Sequence, residues 1–287
     1  MRVAHLLMVH KNAAQIRRLI QALAHEDFDF FIHVDKRSDI EEFAQLRGLP
    51  QVYFIRHRVW ARWASYRFTE GVLQSMQEIV STGTTYDFIA LLSGQDYPIK
   101  PAASMHAYLA RHQGHSFLSY EAQGSDWWQH AINRVEQYHL LYFEFKYQYT
   151  IQTILNRLLP KRRFPLPYTL YGGPNGSWWT LSRDAAAYVL DFVKQNPALG
   201  RFSRFTWGSD EFLVPTIVMN SPLRDSVIND NYRYIDWSLG GPNPKVLTVA
   251  DANKLAQSPR FLARKFDAAT DAQILDLLDE SLRPARR

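Results

Sequence analysis

The sequence predicts an α/β fold of parallel βαβ units in a single domain, on three observations. Short apolar runs alternate with amphipathic helical stretches through the N-terminal part of the chain. The apolar runs end in polar residues, where parallel sheets place their chemistry. The 287 residues are 46% hydrophobic and 21% charged, enough apolar surface for a sizeable core and too much for global disorder.

Val3–Val9 reads as the first strand. A helix follows from Ala13 to about Ala24, with Ile16, Leu19, Ile20 and Leu23 on one face. Phe28–Val34 is a second apolar strand ending in His33-Val34-Asp35-Lys36, and Gln51–Ile55 a third. Phe68–Val80 is helical, and Tyr86–Leu92 is a fourth strand running into Ser93-Gly94-Gln95-Asp96-Tyr97-Pro98. Residues 120–170 differ: they are rich in Tyr, Trp, Phe, His and Arg, with a basic Lys161-Arg162-Arg163 cluster. Such residues line a sugar groove, face a partner or simply pack an irregular subdomain. Gly172 to Ser177 turns the chain into a short strand at Trp178–Ser182. Ser182-Arg183-Asp184 then opens a helix with Ala186, Val189, Leu190 and Val193 on its apolar face. Phe212–Met219 is a further helix, with Ser209 and Asp210 as capping candidates and Glu211 in its first turn.

Lys+Arg 33 against Asp+Glu 28 gives a net charge of +5, mildly basic and without the continuous cationic face of a nucleic-acid binder. There is no cysteine, which excludes disulfides and thiolate metal sites. The apolar run after Met1 is too short for a signal peptide, and no run approaches the ~18 apolar residues of a spanning helix. The expectation is a soluble, cytoplasmic protein.

No cofactor fingerprint is present. The histidines His5, His10, His25, His33, His57 and His106 are scattered, without His-Glu-x-x-His spacing, so zinc is not expected. Asp27-Phe28-Asp29 matches the Asp-x-Asp that holds a divalent metal in many nucleotide-sugar transferases. It precedes a strand rather than following one, so Asp29 reads as a turn residue. Asp96 follows a strand but offers one carboxylate, a poor home for Mg²⁺. Neither G-x-G-x-x-G nor a P-loop occurs. Asp35 either accepts from a base or ribose or is a surface turn acid. The Gly172–Ser177 loop either lets backbone approach a ligand or only turns the chain. Glu211 is either an ordinary capping acid or a general base kept ionised at a helix start.

Six segments in order carry a more specific signal: His10-Lys11; Ile32 to Lys36; Leu92 to Lys100; Gly176 to Arg183; Ser209-Asp210-Glu211; and Phe261 to Asp267. With these, the chain from about Val3 to Leu282 resembles the core-2/I-branching β-1,6-N-acetylglucosaminyltransferases and the related peptide O-xylosyltransferases, glycosyltransferase family 14. The resemblance implies a glycosyltransferase A-type (Rossmann-like) fold with a mixed, mainly parallel central sheet. One domain would span 1–287, with a nucleotide-binding half at 1–119 and an acceptor-binding and catalytic half at 120–287. The implied reaction is inverting transfer of a sugar, N-acetylglucosamine first among candidates, from a UDP-sugar to a glycan hydroxyl without a divalent metal. A UDP-xylose-dependent xylosyltransferase and a non-catalytic glycan- or nucleotide-binding protein are the alternatives.

Carried over by motif, Glu211 is the catalytic base, and Lys265 and Lys245 contact the UDP diphosphate. Val9, His10, Asp35 and Asp96 belong to the donor-binding edge, while Glu121, Arg134 and Trp237 face the acceptor. No metal ligand is implied. The animal enzymes carry a membrane anchor and several cysteines, and this sequence shows neither feature. A microbial enzyme acting on a cell-surface glycan precursor, lipid-linked in one version, is therefore expected. Arg157, Lys161, Arg162 and Arg163 with Leu158, Leu159 and Phe164 either touch an anionic membrane as a peripheral contact or form a solvated loop.

Overall fold

A computed structural model of the chain describes residues 1–283. Its strands are β1 (Val3–Val9), β2 (Phe28–Val34), β3 (Val52–Phe54), β4 (Phe88–Ser93), β5 (Asp96–Pro98), β6 (Ser116–Leu118), β7 (Glu121–Ala122), β8 (Tyr171–Gly172), β9 (Thr180–Ser182), β10 (Val227–Asn229), β11 (Arg233–Ile235) and β12 (Leu262–Arg264). The helices are α1 (Ala13–Ala22), α2 (Tyr66–Val80), α3 (Ala102–Arg111), α4 (Asp126–Ala131), α5 (Asn133–Glu136), α6 (Gln148–Leu158), α7 (Arg183–Gln195), α8 (Pro197–Ser203), α9 (Leu213–Met219), α10 (Ala252–Gln257) and α11 (Gln273–Leu282).

The fold is mixed α/β around a seven-stranded sheet of order β10-β6-β9-β4-β1-β2-β3. All neighbours pair in parallel except at β9, which runs against both β4 and β6. The sheet thus takes strands from both sides of residue 120. A smaller sheet, β11-β12-β5, stands beside it.

Strand alternation sorts the core into two layers. Val3, Leu7 and Val9 of β1 pack with Ile16, Leu19 and Ile20 of α1 and with Phe28, Phe30 and Ile32 of β2. Ala4, Leu6 and Met8 face the other way, against Met76 and Ile79 of α2 and residues of α7 and α9. His5 lies within the first layer, fully buried against Phe28 and Phe30. Burial pulls its pKa down to about 3, so it packs as a neutral ring.

Several expectations are corrected in detail. Helix α2 starts at Tyr66, two residues earlier than its apolar pattern suggests, because Ser65 caps it by accepting from the Arg67 amide at 3.2 Å. Asp29 is a buried member of β2 rather than a turn residue, accepting from Arg2 at 2.7 Å and from the Tyr86 hydroxyl at 2.6 Å. The histidines are less scattered than their spacing implies. The His25 and His106 rings stack at 4.2 Å, and His106 Nε2 lies 2.6 Å from Asp27 Oδ2. That trio sits at the entry to β2, opposite the end of the sheet where β1 delivers His10.

Candidate active site

A cleft of about 400 Å³ opens at the carboxyl ends of β1 and β4. Its lining includes the chain leaving those strands, Val9 to Asn12 and Ser93 to Gln95, together with Arg264, Lys265, Ile235 and Trp237. Asp210, Glu211, Ser177 and Trp178 line it as well. Ligands gather at this edge of parallel sheets because the strand-to-helix turns leave backbone groups and side chains free there.

The walls are held by buried polar contacts. Gln15 of α1 donates to the carbonyls of Gly94 and Phe266 at 2.9 and 3.1 Å and accepts from the Ala268 amide at 2.8 Å. One side chain thereby fixes the β4 turn against the segment that carries Lys265. Across the cleft, the Gly172–Ser177 loop lies directly on the backbone of Glu211. A Cβ on Gly176 would sit 2.1 Å from the Glu211 carbonyl oxygen, and one on Gly172 would sit 2.5 Å from Phe212 Cβ. The loop's glycines therefore serve close packing that positions the acid.

Glu211 is in a 3₁₀ turn, Ser209–Glu211, ahead of α9, which begins only at Leu213. Neither Ser209 nor Asp210 caps a helix. The Ser209 hydroxyl pairs with Thr69 at 2.9 Å, and Asp210 accepts from Ser177 at 2.6 Å. The expected dipole stabilisation of an ionised Glu211 is overturned. Burial pushes its pKa up to about 7; the Arg134 guanidinium opposes that, and the Asp210 carboxylate adds to it. A carboxyl titrating there is matched to proton transfer near neutrality. Arg134 donates to Glu211 Oε2 and stacks on Trp207 at 4.0 Å.

The cleft lining also carries basic groups. Lys265 lines the cleft, its pKa lowered by burial and then by Arg264 and Lys11. Lys11 itself donates to Asp267 at 2.7 Å. Arg264 lies 3.8 Å over the Trp178 ring, and burial brings its pKa down to about 10, which leaves it charged at neutral pH. Beneath it Asp96 is fully buried, with Oδ1 3.3 Å from Arg233 Nε and 3.9 Å from Arg264 Nε. One carboxylate thus faces two guanidinium groups, leaving a surplus positive charge under the cleft floor. Such a floor suits an anionic ligand.

The sequence-predicted residues divide accordingly. Val9, His10, Lys265, Trp237 and Glu211 line the cleft, and Arg134 reaches it through Glu211. Asp96 departs from the donor-contact expectation because it is buried under Arg264. Lys245 points elsewhere, donating to Asp251 at 2.7 Å within the capping box of Thr248 and Asp251. Asp35 gives both carboxylate oxygens to backbone amides, Arg37 at 2.8 Å and Ala61 at 2.7 Å, and so braces the Ala61 wall. The Glu121 side chain is exposed on β7, outside the cleft lining. Sequence reasoning missed Arg264, Arg233 and Trp178; the signal available was an arginine closing an apolar strand directly before Lys265.

A family model described as Branch: Core-2/I-Branching enzyme matches residues 3–256. The chain is 29% identical over 304 residues to Xylosyltransferase 2 of Rattus norvegicus, covering 97% of this chain and 33% of that protein. It is 29% identical over 303 residues to Xylosyltransferase 1 of Homo sapiens, covering 97% and 30%. The chain therefore spans about a third of the length of the curated relatives it matches. Among solved structures, the apo form of mouse xyloside xylosyltransferase 1 aligns over 91% of this chain and 97% of that one, at 11% identity and a TM-score of 0.42.

Proposed function

This chain belongs to the Core-2/I-Branching enzyme family, and from that premise we propose that it is an inverting, metal-independent glycosyltransferase of the A-type fold using a UDP-sugar. The observation that carries the reading is that one cleft brings together a carboxyl with its pKa raised to about 7, Glu211, and two basic side chains, Arg264 and Lys265. UDP lies along the β1 and β4 turns, its diphosphate against Lys265 and Arg264. The acceptor hydroxyl enters beside Glu211 and Trp237. Ionised Glu211 takes the hydroxyl proton as the oxygen bonds to C1 of the sugar. The C1–O bond to the diphosphate breaks on the opposite face, and its electron pair leaves with UDP. The two basic side chains meet the charge that develops there, which fixed donors in a dry site do most effectively. Holding both substrates in line supplies much of the remaining acceleration.

N-acetylglucosamine is the sugar suggested by resemblance to the branching enzymes. The names of the relatives that match nearly the whole chain favour xylose as a second reading. The acceptor is a glycan hydroxyl, on a free or lipid-linked chain. A thermal-shift series of UDP-sugars, with and without EDTA, tests the proposal, because a ligand that binds only the folded protein raises the apparent melting temperature. One UDP-sugar is expected to raise Tm most, by the same amount in EDTA. A shift that appears only with Mn²⁺, or none with any UDP-sugar, contradicts the reading.

A further inference from the structure

Helix α6 is mounted with its polar side inward. Gln152 Oε1 accepts from the Leu140 amide at 2.9 Å, and Asn156 bonds both the amide and the carbonyl of Tyr138, at 2.7 and 2.9 Å. Gln148, one turn earlier on the same side, is buried. Residues four apart share a helix face, so this seam is continuous. A separate stripe faces outward and is apolar: Tyr147, Ile151, Ile154 and Leu158 are 66%, 40%, 49% and 75% exposed. A stripe at that spacing is normally the buried side of a helix. Here it is turned to solvent although the remainder of the helix is fixed by specific bonds.

The surroundings of the stripe are cationic. From Phe145 to Arg163 there is no Asp or Glu, and there are five Lys or Arg. Arg162 is half-buried and turned inward. It stacks on Phe202 at 3.8 Å and donates to the Phe202 carbonyl at 2.5 Å, which takes it out of the basic cluster expected either to touch a membrane or to form a solvated loop. Lys161 is salt-bridged to Glu136 at 2.5 Å. Lys146, Arg157 and Arg163 remain exposed around the apolar stripe. A second copy of the chain docking there would bring two positive rims together. No helix among the described residues is long and apolar enough to cross a membrane.

We propose that α6 lies in the interface of an anionic lipid bilayer, its Ile151–Ile154–Leu158 stripe among the acyl chains and Lys146, Arg157 and Arg163 at the headgroups. Apolar insertion and attraction to anionic lipid act together at such helices, and exposed tyrosines suit the boundary layer. The placement also orients the enzyme. Tyr149 and Gln152 line a cavity with Trp63 and Trp207, and Trp63 is shared with the wall of the main cleft. The acceptor side of the cleft therefore opens next to the docked face, within reach of a glycan carried on lipid.

Co-sedimentation with vesicles tests this in the full chain without any UDP-sugar, so its failure leaves the donor chemistry untouched. Phosphatidylglycerol–phosphatidylcholine vesicles at low salt are expected to pellet the protein, and phosphatidylcholine vesicles far less. The variant Ile151→Ser/Ile154→Ser/Leu158→Ser should lose ~10-fold or more in binding, since each side chain removes buried apolar area. Lys146→Gln/Arg157→Gln/Arg163→Gln should lose roughly fivefold per charge. Both variants should keep the parent's UDP-induced thermal shift, which separates a surface effect from misfolding. Equal pelleting on both vesicle types, or binding undiminished in the serine variant, overturns the proposal. So does a parent dimer that the serine substitutions dissociate, which would give the face to a second copy.

Discussion

Replacing Glu211 with glutamine is expected to lower turnover by about 10²–10⁴-fold, the range for loss of a general base, while UDP-sugar binding stays near that of the parent. The amide keeps the shape of the side chain but cannot take a proton from the acceptor. Arg134 loses an ionic partner yet retains its stacking on Trp207 and Trp127, so the local fold has support without the carboxylate. The parent's pH profile supplies an independent check. Burial holds the Glu211 carboxyl protonated up to about pH 7, and only the ionised form is a base. The rate should therefore rise with pH through about 7 and then level, and this limb should vanish in Glu211→Gln. UDP release from the preferred UDP-sugar measures both effects. Equal turnover in variant and parent would remove Glu211 from the reaction.

Asp96→Asn is expected to act on stability rather than on donor contact. Asp96 is the counter-charge for Arg233 and Arg264, both largely buried, and it also accepts from the Ser93 amide at 2.5 Å. Removing one partner from a buried ionic cluster leaves uncompensated charge and costs about 3–5 kcal/mol. For a domain of this size that corresponds to a fall in Tm of roughly 5–8 °C. UDP affinity, measured well below the transition, should be retained or strengthened, because the floor of the cleft becomes more positive. An unchanged Tm with weakened UDP binding would instead make Asp96 a direct donor ligand, the role its position after β4 suggests.

The sequence is most informative where local pattern and final environment coincide. The runs of β1 and β4 are mainly apolar on both faces, which marks central strands, and the cleft follows at their ends; β2 joins them with Asp29 and His33 buried on one face. Glu211 and Lys265 are reached through motif resemblance. Their convergence depends on β12 pairing with β5 and on the glycine loop packing on Glu211, contacts far apart in the chain. Arg264 belongs to the Phe261–Asp267 motif but takes no role from sequence, because an arginine after Leu262 and Ala263 looks like a strand end; only the fold brings it over Asp96. Lys245 and Lys265 look alike in sequence, yet a capping-box carboxylate engages the first and leaves the second to the cleft. The direction of β9 has no local signature. Nor does α6: its period announces an apolar face without saying what covers it.

In the proposed reaction two basic side chains, rather than a metal ion, receive the diphosphate. Calorimetric titration of UDP in EDTA tests it most directly, comparing the parent with Arg264→Met/Lys265→Met. Asp96 stays paired with Arg233 in that variant, so the fold is expected to survive. Charge-assisted contacts of this kind contribute about 1.5–3 kcal/mol each, so the predicted result is tight binding by the parent in EDTA and a Kd raised at least tenfold in the variant. Equal affinities, or parent binding that requires added Mn²⁺, would contradict it.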